Sequence, residues 1–314
     1  MTSGRIDTHH HIVPPTYAAW LRRKGVEAGG LPIPEWSVES AISLMDKYRV
    51  RTAILSVSTP GVHMGDDAEA REKAREVNEY AAQVVRKHPG RFGFFATLCL
   101  PDVKGSIAEL AYAFDQLYAD GVVLLANSRG IYLGEPAFDP LFDELNKRKA
   151  VVFVHPSYLH GNDPPSGLPP FIADFLLDTT RAAIRLAGSG TLDRCPELKV
   201  ILSHAGGFVP YAAYRIAGAA SPKREFAEGL AQLQKFYFDI ALSGTPTALP
   251  ALFALARPDH VLFGTDSPYA SDAIVGAFTG MYEGYSLGDA QRASIDRGNA
   301  ERLLPRLGRT EAGS

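Results

Sequence analysis

The segment Asp7-Thr8-His9-His10-His11 sets three consecutive imidazoles behind a carboxylate. On a strand, side chains alternate, so Asp7, His9 and His11 should share one face and Thr8 and His10 the other. Two imidazoles two residues apart can grip a single metal ion. A fortuitous cluster or a tag remnant is the competing explanation, but a run embedded in strand-like sequence is not a tag. Three further positions join the pair. His155 closes Val-Val-Phe-Val-His, His204 closes Val-Ile-Leu-Ser-His, and Asp266 closes Val-Leu-Phe-Gly-Thr-Asp. Each is a polar residue ending an apolar run, where burial without a partner is costly. One such residue is commonly a hydrogen-bonded structural group. Three, together with the pair, point to one centre. A histidine and carboxylate set suits zinc, manganese or iron(II) better than calcium.

The elements that must position these residues are legible as eight short apolar runs: Arg5–His11, Thr52–Val57, Phe92–Leu98, Gly121–Leu125, Val151–His155, Lys199–His204, Phe236–Ile240 and Val261–Thr265. Short apolar runs between turn residues are what strands buried on both faces look like. Amphipathic segments lie between them. Asp67–Lys87 is the longest; Asp139 should cap a helix with Pro140 at its first position; Asp174–Leu186 should stop at the glycines that follow; and Pro246 should open a helix to about Leu255. Eight βα units with right-handed crossovers close into a (β/α)8 TIM barrel, an α/β fold in which residues 1–314 form one domain. The loops Gly29–Glu35 and Asn162–Pro170 should lie at the C-terminal mouth, and residues 1–4 and 308–314 should be frayed tails.

Bulk properties narrow the partners. Of the 314 residues, 46% are apolar, enough for a large core, and 32 basic residues stand against 35 acidic ones for a net charge of −3. Such a balance argues against a nucleic-acid surface. The two cysteines, Cys99 and Cys195, sit in no redox or metal motif, which fits a reducing cytoplasm. No apolar run is long enough to span a bilayer, and no targeting segment is visible at the N-terminus, so membrane attachment is not expected.

Asp7–His11, Phe153-Val-His-Pro156, Ser203-His-Ala-Gly-Gly207 and Gly264-Thr-Asp-Ser-Pro268, in this order and at the ends of these strands, resemble the amidohydrolase superfamily. The branch they resemble contains aminocarboxymuconate-semialdehyde decarboxylase and the o-hydroxybenzoate decarboxylases. The resemblance runs from Ile6 to the segment Gly298–Leu303. It implies that His9, His11, His155 and Asp266 ligate one divalent metal, zinc or manganese, and that His204 is a non-ligand histidine beside the metal-bound water or substrate. Some decarboxylases of the branch carry a glutamate where this chain has His9; the His-x-His members also include hydrolases and lactonases. Arg215, 11 residues beyond His204, matches an arginine that reaches a neighbouring subunit's site, which implies a homodimer. The stretch Asp120–Phe153, including Asn127-Ser128-Arg129-Gly130, is similar to decarboxylases of 6-methylsalicylate-type acids.

The expected activity is non-oxidative decarboxylation of a small 2-hydroxybenzoate-type or muconate-like carboxylic acid. Asp266 would protonate the ring carbon bearing the carboxylate, and His204 would hold the phenolate or water. Hydrolysis of a lactone, amide or related ester at the same site is the alternative, with Asp266 taking a proton from water. A non-catalytic barrel used for binding would leave the full ligand set without a purpose. Trp20, Tyr158, His160 and Tyr269 are candidates for substrate contact at the mouth, as is Arg215 from a partner subunit. His63 also falls on a mouth loop. His10 should pack, and His88 and His260 should lie at the surface of the barrel's bottom.

Overall fold

A computed structural model describes residues 4–161 and 167–308; residues 1–3 and 309–314, the outer parts of the expected tails 1–4 and 308–314, and residues 162–166 of the second loop lie outside the described residues, while Gly308 ends a short helix, Pro305–Gly308. Eight strands form one parallel sheet: β1 Arg5–His11, β2 Val50–Ser56, β3 Phe92–Thr97, β4 Gly121–Leu125, β5 Val151–His155, β6 Lys199–Leu202, β7 Tyr237–Asp239 and β8 Val261–Leu262. Their order around the sheet is their order in the chain. The segment after β8 closes the barrel onto β1, with Asp266 N donating to His9 O at 2.8 Å and His11 N to Ser267 O at 2.7 Å.

Inside the barrel, Ile6, Ile54, Phe95, Phe153, Ile201 and Leu262 fill the lower half, sealed from below by Ala300 and Leu304. The interior is therefore packed rather than a pore, and space for chemistry remains only toward the strands' C-terminal ends. A larger apolar layer lies between the barrel wall and the helices.

The later strands end earlier than the apolar runs suggest. β6 stops at Leu202 and β8 at Leu262, and the chain beyond each turns into left-handed geometry within a few residues. His204, Ala205 and Asp266 have φ of 53°, 54° and 64°, which no strand accommodates. The expected alternation on β1 also breaks. Asp7 aligns with Ala53 and His10 with Leu55, so β1 carries one extra residue, a bulge. Asp7 therefore leaves the His9 face. Its Oδ2 lies 3.0 Å from His10 Nδ1, while its Oδ1 accepts from the amides of His9 and Thr265, each at 3.1 Å.

Helix Asp67–Lys87 forms as expected, its N-terminus capped by Asp66, which accepts from Glu69 N at 2.7 Å. Asp139 is not a cap. A 3-10 turn over Pro136–Phe138 runs straight into helix Asp139–Lys147, so Phe138 takes the cap position. Helix Asp174–Gly188 continues two residues past Leu186, and the helix expected at Pro246 starts at Ala248, after a turn in which Thr245 Oγ1 accepts from Ala248 N. The loop around Gly29 and Gly30 follows an inserted helix, Pro15–Lys24, rather than β1 directly. It still reaches the mouth, where Gly30 N donates to Tyr158 Oη at 3.1 Å.

Candidate metal centre

Four donors converge at the C-terminal end of the barrel. Ligand atoms of His9, His11, His155 and Asp266 all lie within 4.8 Å of one another, and all four residues are buried. His9 lies within the bulge of β1 and His11 beyond it; His155 is the last residue of β5; Asp266 follows β8 in left-handed geometry.

The outward ring nitrogens show how the histidines are aimed. His9 Nδ1 lies 3.0 Å from Asp239 Oδ2, His11 Nδ1 lies 3.1 Å from Ser56 O, and His155 Nδ1 lies 2.8 Å from Pro156 O. Each acceptor fixes the proton on Nδ1 and leaves a lone pair on Nε2. His9 Nε2 and His11 Nε2 then face each other at 3.0 Å, with Asp266 Oδ1 at 3.2 Å from the first and 3.0 Å from the second. Two ring lone pairs aimed at one carboxylate oxygen in a buried space call for a cation between them. The donor set fits one divalent ion on chemistry and orientation.

Electrostatics agree with that fit. Burial, then the neighbouring imidazoles, holds His155 well below the ordinary histidine range, and burial lowers His11 although Asp266 pulls it upward. Both are thus neutral, the form that ligates. At His9 burial opposes charge, but Asp239 and Asp266 outweigh it and hold the imidazole up at about 10. Burial also acts against the Asp266 carboxylate, yet the charge of His9 and hydrogen bonds from His11 and His9 keep it well below the usual carboxylate range.

His204 stands beside this set. Its Nε2 is 3.3 Å from Asp266 Oδ2, the oxygen turned away from His9 and His11, and its backbone N donates to Asp239 Oδ1 at 3.2 Å. Burial, then the charge of His9, lowers its affinity for a proton. Its buried Nδ1 has no hydrogen-bond partner among the described residues.

The other candidate residues divide. The Tyr269 ring packs edge-on against His11 with centroids 5.3 Å apart. Tyr158 accepts from Gly30 N and donates to Glu27 O, both at 3.1 Å, so its hydroxyl pins the Gly29 loop. His160 is exposed on the loop after β5, against Gly130. Trp20 is buried against Tyr17, and its indole N–H donates to Glu69 at 3.0 Å. Arg215 is exposed on helix Val209–Ile216. His63 pairs with Asp67 at 2.8 Å. His260 is not a surface residue; it is buried and stacked on Tyr237 at 3.9 Å.

Sequence reasoning passed over Asp239, which aims His9 and His204 together. The signal was present: a lone carboxylate near the end of the Phe236–Ile240 run, the pattern that singles out Asp266. It also passed over Asp178, which accepts from Ser157 N at 2.8 Å and Asn127 Nδ2 at 2.9 Å and so braces the turn after His155. Asp178 lies inside a helix and carries no sequence signal.

Comparison with known proteins extends the picture. The amidohydrolase family model matches residues 6–306. The 6-methylsalicylic acid decarboxylase of Penicillium expansum is 39% identical, with 97% of each chain covered. A crystal structure of amidohydrolase II superposes with a TM-score of 0.88 at 31% identity, covering 96% of this chain and 99% of the other. A dihydroxybenzoic acid decarboxylase from Polaromonas sp., solved with manganese and the inhibitor 2-nitroresorcinol, superposes with a TM-score of 0.80 at 25% identity over 98% of each chain.

Proposed function

The chain belongs to the amidohydrolase family, and from that footing we propose that it is a metal-dependent, non-oxidative decarboxylase of small aromatic acids of the 2-hydroxybenzoate type. The decarboxylase relatives support the reaction class. The observation that carries the chemistry is the divided use of Asp266: Oδ1 faces His9 and His11, while Oδ2 faces His204 at 3.3 Å. His9, His11, His155 and Asp266 would hold one divalent ion, zinc or manganese. Bound there, the ion supplies Lewis acidity and a template for a carboxylate and its neighbouring hydroxyl.

Asp266 is a carboxylate at rest, so it must accept a proton before it can give one. The hydroxyl beside the substrate's carboxylate is the source. Asp266 then delivers this proton to the ring carbon bearing the carboxylate, using a π pair of the ring to form the new C–H bond. The carbon–carbon bond breaks, its electron pair returns to the ring, and carbon dioxide leaves. The hydroxyl proton ends on the ring carbon, and the product departs as a phenolate. His204, kept neutral by burial, holds the outer oxygen of Asp266 in line and offers a neutral hydrogen-bonding group to the substrate oxygen. Tyr269 walls the ring on the His11 side. Tyr158 and His160 stand on the loop after β5.

The chain acts as a homodimer in this reading. Helix Val209–Ile216 presents Tyr211 at 88% exposure and Tyr214 at 72%, beside Arg215. Two bare tyrosines next to a cation suit a protein partner better than water.

Incubation with a panel of 2-hydroxybenzoates and lactones, followed by mass spectrometry, tests the reaction. Loss of carbon dioxide from a 2-hydroxybenzoate is expected. Unchanged acids together with hydration of a lactone would replace this reading by hydrolysis.

A further inference from the structure

A cavity opens at the mouth, lined by residues at the ends of β2, β3 and β4 and on the loop after β5. It holds about 190 Å³ and has an apolar floor that includes Val57, Leu98 and Leu124. An apolar cavity of about 150 Å³ takes a benzene ring, so this one has room for a single ring. None of the described residues lining it is acidic, and Arg129 and His160 stand at its edge.

Arg129 is held there by its backbone. It forms, with Gly130, the tip of the ribbon joining Asn127–Ser128 to Ile131–Tyr132, at φ of 54° and 85°. Left-handed geometry is costly for a non-glycine residue, and Asn127 Oδ1 secures the turn by accepting from Gly130 N at 2.9 Å. The tip bridges two other loops. A guanidinium nitrogen of Arg129 lies 3.4 Å from where a Cβ on Gly65 would be, and Gly130 packs so closely on His160 that a Cβ there would meet Cδ2 at 2.8 Å. Gly65 itself has φ of 113°. Among the described residues Arg129 makes no ion pair; it is exposed at the cavity's edge, and none of the described lining residues is a carboxylate that could answer it. The wall shared with the metal centre is one residue thick: Ser58 Oγ is 3.5 Å from His155 Nε2, and Thr59 Oγ1 is 3.2 Å from Ser157 Oγ.

We propose that this cavity is a binding position for a small aromatic carboxylate, distinct from the metal centre, with the ring on the Leu98–Leu124 floor and the carboxylate on Arg129. The mouth then reads negative charge at two adjacent places, the metal ligands' pocket and the Arg129 rim. The assignment does not depend on the reaction proposed above, because it needs neither a 2-hydroxyl nor turnover.

Calorimetric titration of the purified full chain with 3-methylbenzoate tests it. This probe lacks the hydroxyl needed for a two-point grip on a metal. Saturable binding is expected, weakened at least tenfold by Arg129→Gln, since a charge-assisted hydrogen bond is lost. The neutral 3-methylbenzyl alcohol should bind wild type and Arg129→Gln within twofold of one another, which also shows that the variant keeps its cavity. Absence of saturable binding to wild type, or equal affinity of wild type and Arg129→Gln for the carboxylate, would overturn the assignment, the second outcome by placing the probe at the metal centre. Activity toward 2-hydroxybenzoates is a separate measurement, and its absence would overturn the proposed reaction alone.

Discussion

Asp266 is asked to do two things with two oxygens, and two substitutions separate them. Asp266→Asn keeps an oxygen for the metal but offers an amide where a proton must be carried. Turnover should fall by about 10²- to 10⁴-fold, while elemental analysis still finds metal in the purified variant; near-normal kcat would reduce Asp266 to a ligand. His204→Ala should lower kcat and leave the metal in place, because His204 Nε2 points at the outer oxygen of Asp266 rather than into the converging donors. Metal loss from that variant would mean that His204 is itself a ligand. The two residues share a backbone peculiarity. Both sit at positive φ just past a strand end, so each side chain turns back over the barrel mouth instead of following the strand's alternation. Such geometry is tolerated where neighbouring contacts dictate it. Here Asp266 N is tied to His9 O and His204 N to Asp239.

At the scale of elements, the barrel was readable because each strand buried on both faces leaves a short apolar run, and the runs of β1, β4 and β5 coincide with the observed strands residue for residue. The polar cluster was readable because a polar residue closing such a run has no inexpensive alternative, while the division of its members into four donors and His204 came from the family resemblance. What sequence spacing hid was geometry that breaks periodicity. The bulge in β1 turns Asp7 away from His9, and nothing in Asp-Thr-His-His-His announces an extra residue. Asp139 looks like a cap because a turn ahead of it, Pro136–Phe138, is invisible to pattern. Asp239 shows what was lost: one carboxylate at the end of β7 orients His9 through Nδ1 and accepts from His204 N and Ala241 N. Asp239→Asn should therefore raise the metal dissociation constant by about 10- to 100-fold, the range for removing a carboxylate behind a ligating histidine. Competition against a chromophoric chelator measures this without reference to activity. An unchanged constant would show that His9 is aimed by packing against Phe153 alone, whose ring centroid lies 4.9 Å away.

For the whole molecule, the near balance of charge and the closed, parallel barrel leave the surface with few features, and this makes helix Val209–Ile216 stand out. The helix begins five residues after His204, so one face of it belongs to the mouth's surroundings, while Tyr211, Tyr214 and Arg215 are exposed. A twofold interface built on this face would set the Arg215 of each protomer toward the other's mouth, where a guanidinium gains most from an anionic substrate in a partly desolvated space. Sedimentation should then give a dimer, with one divalent ion per chain by elemental analysis. Arg215→Ala should raise KM or lower kcat with metal content unchanged. The decisive measurement is complementation. Arg215→Ala and His204→Ala homodimers should each be weak, and random mixing makes half the dimers hybrid, with one of their two sites drawing an intact His204 from one chain and an intact Arg215 from the other. The mixture should recover about a quarter of wild-type activity on this statistical ground. A monomer in sedimentation removes the premise. A dimer in which Arg215→Ala keeps full activity retains the interface but leaves Arg215 as an ordinary surface cation, because a residue reaching the substrate across the interface cannot be removed without altering either affinity or turnover.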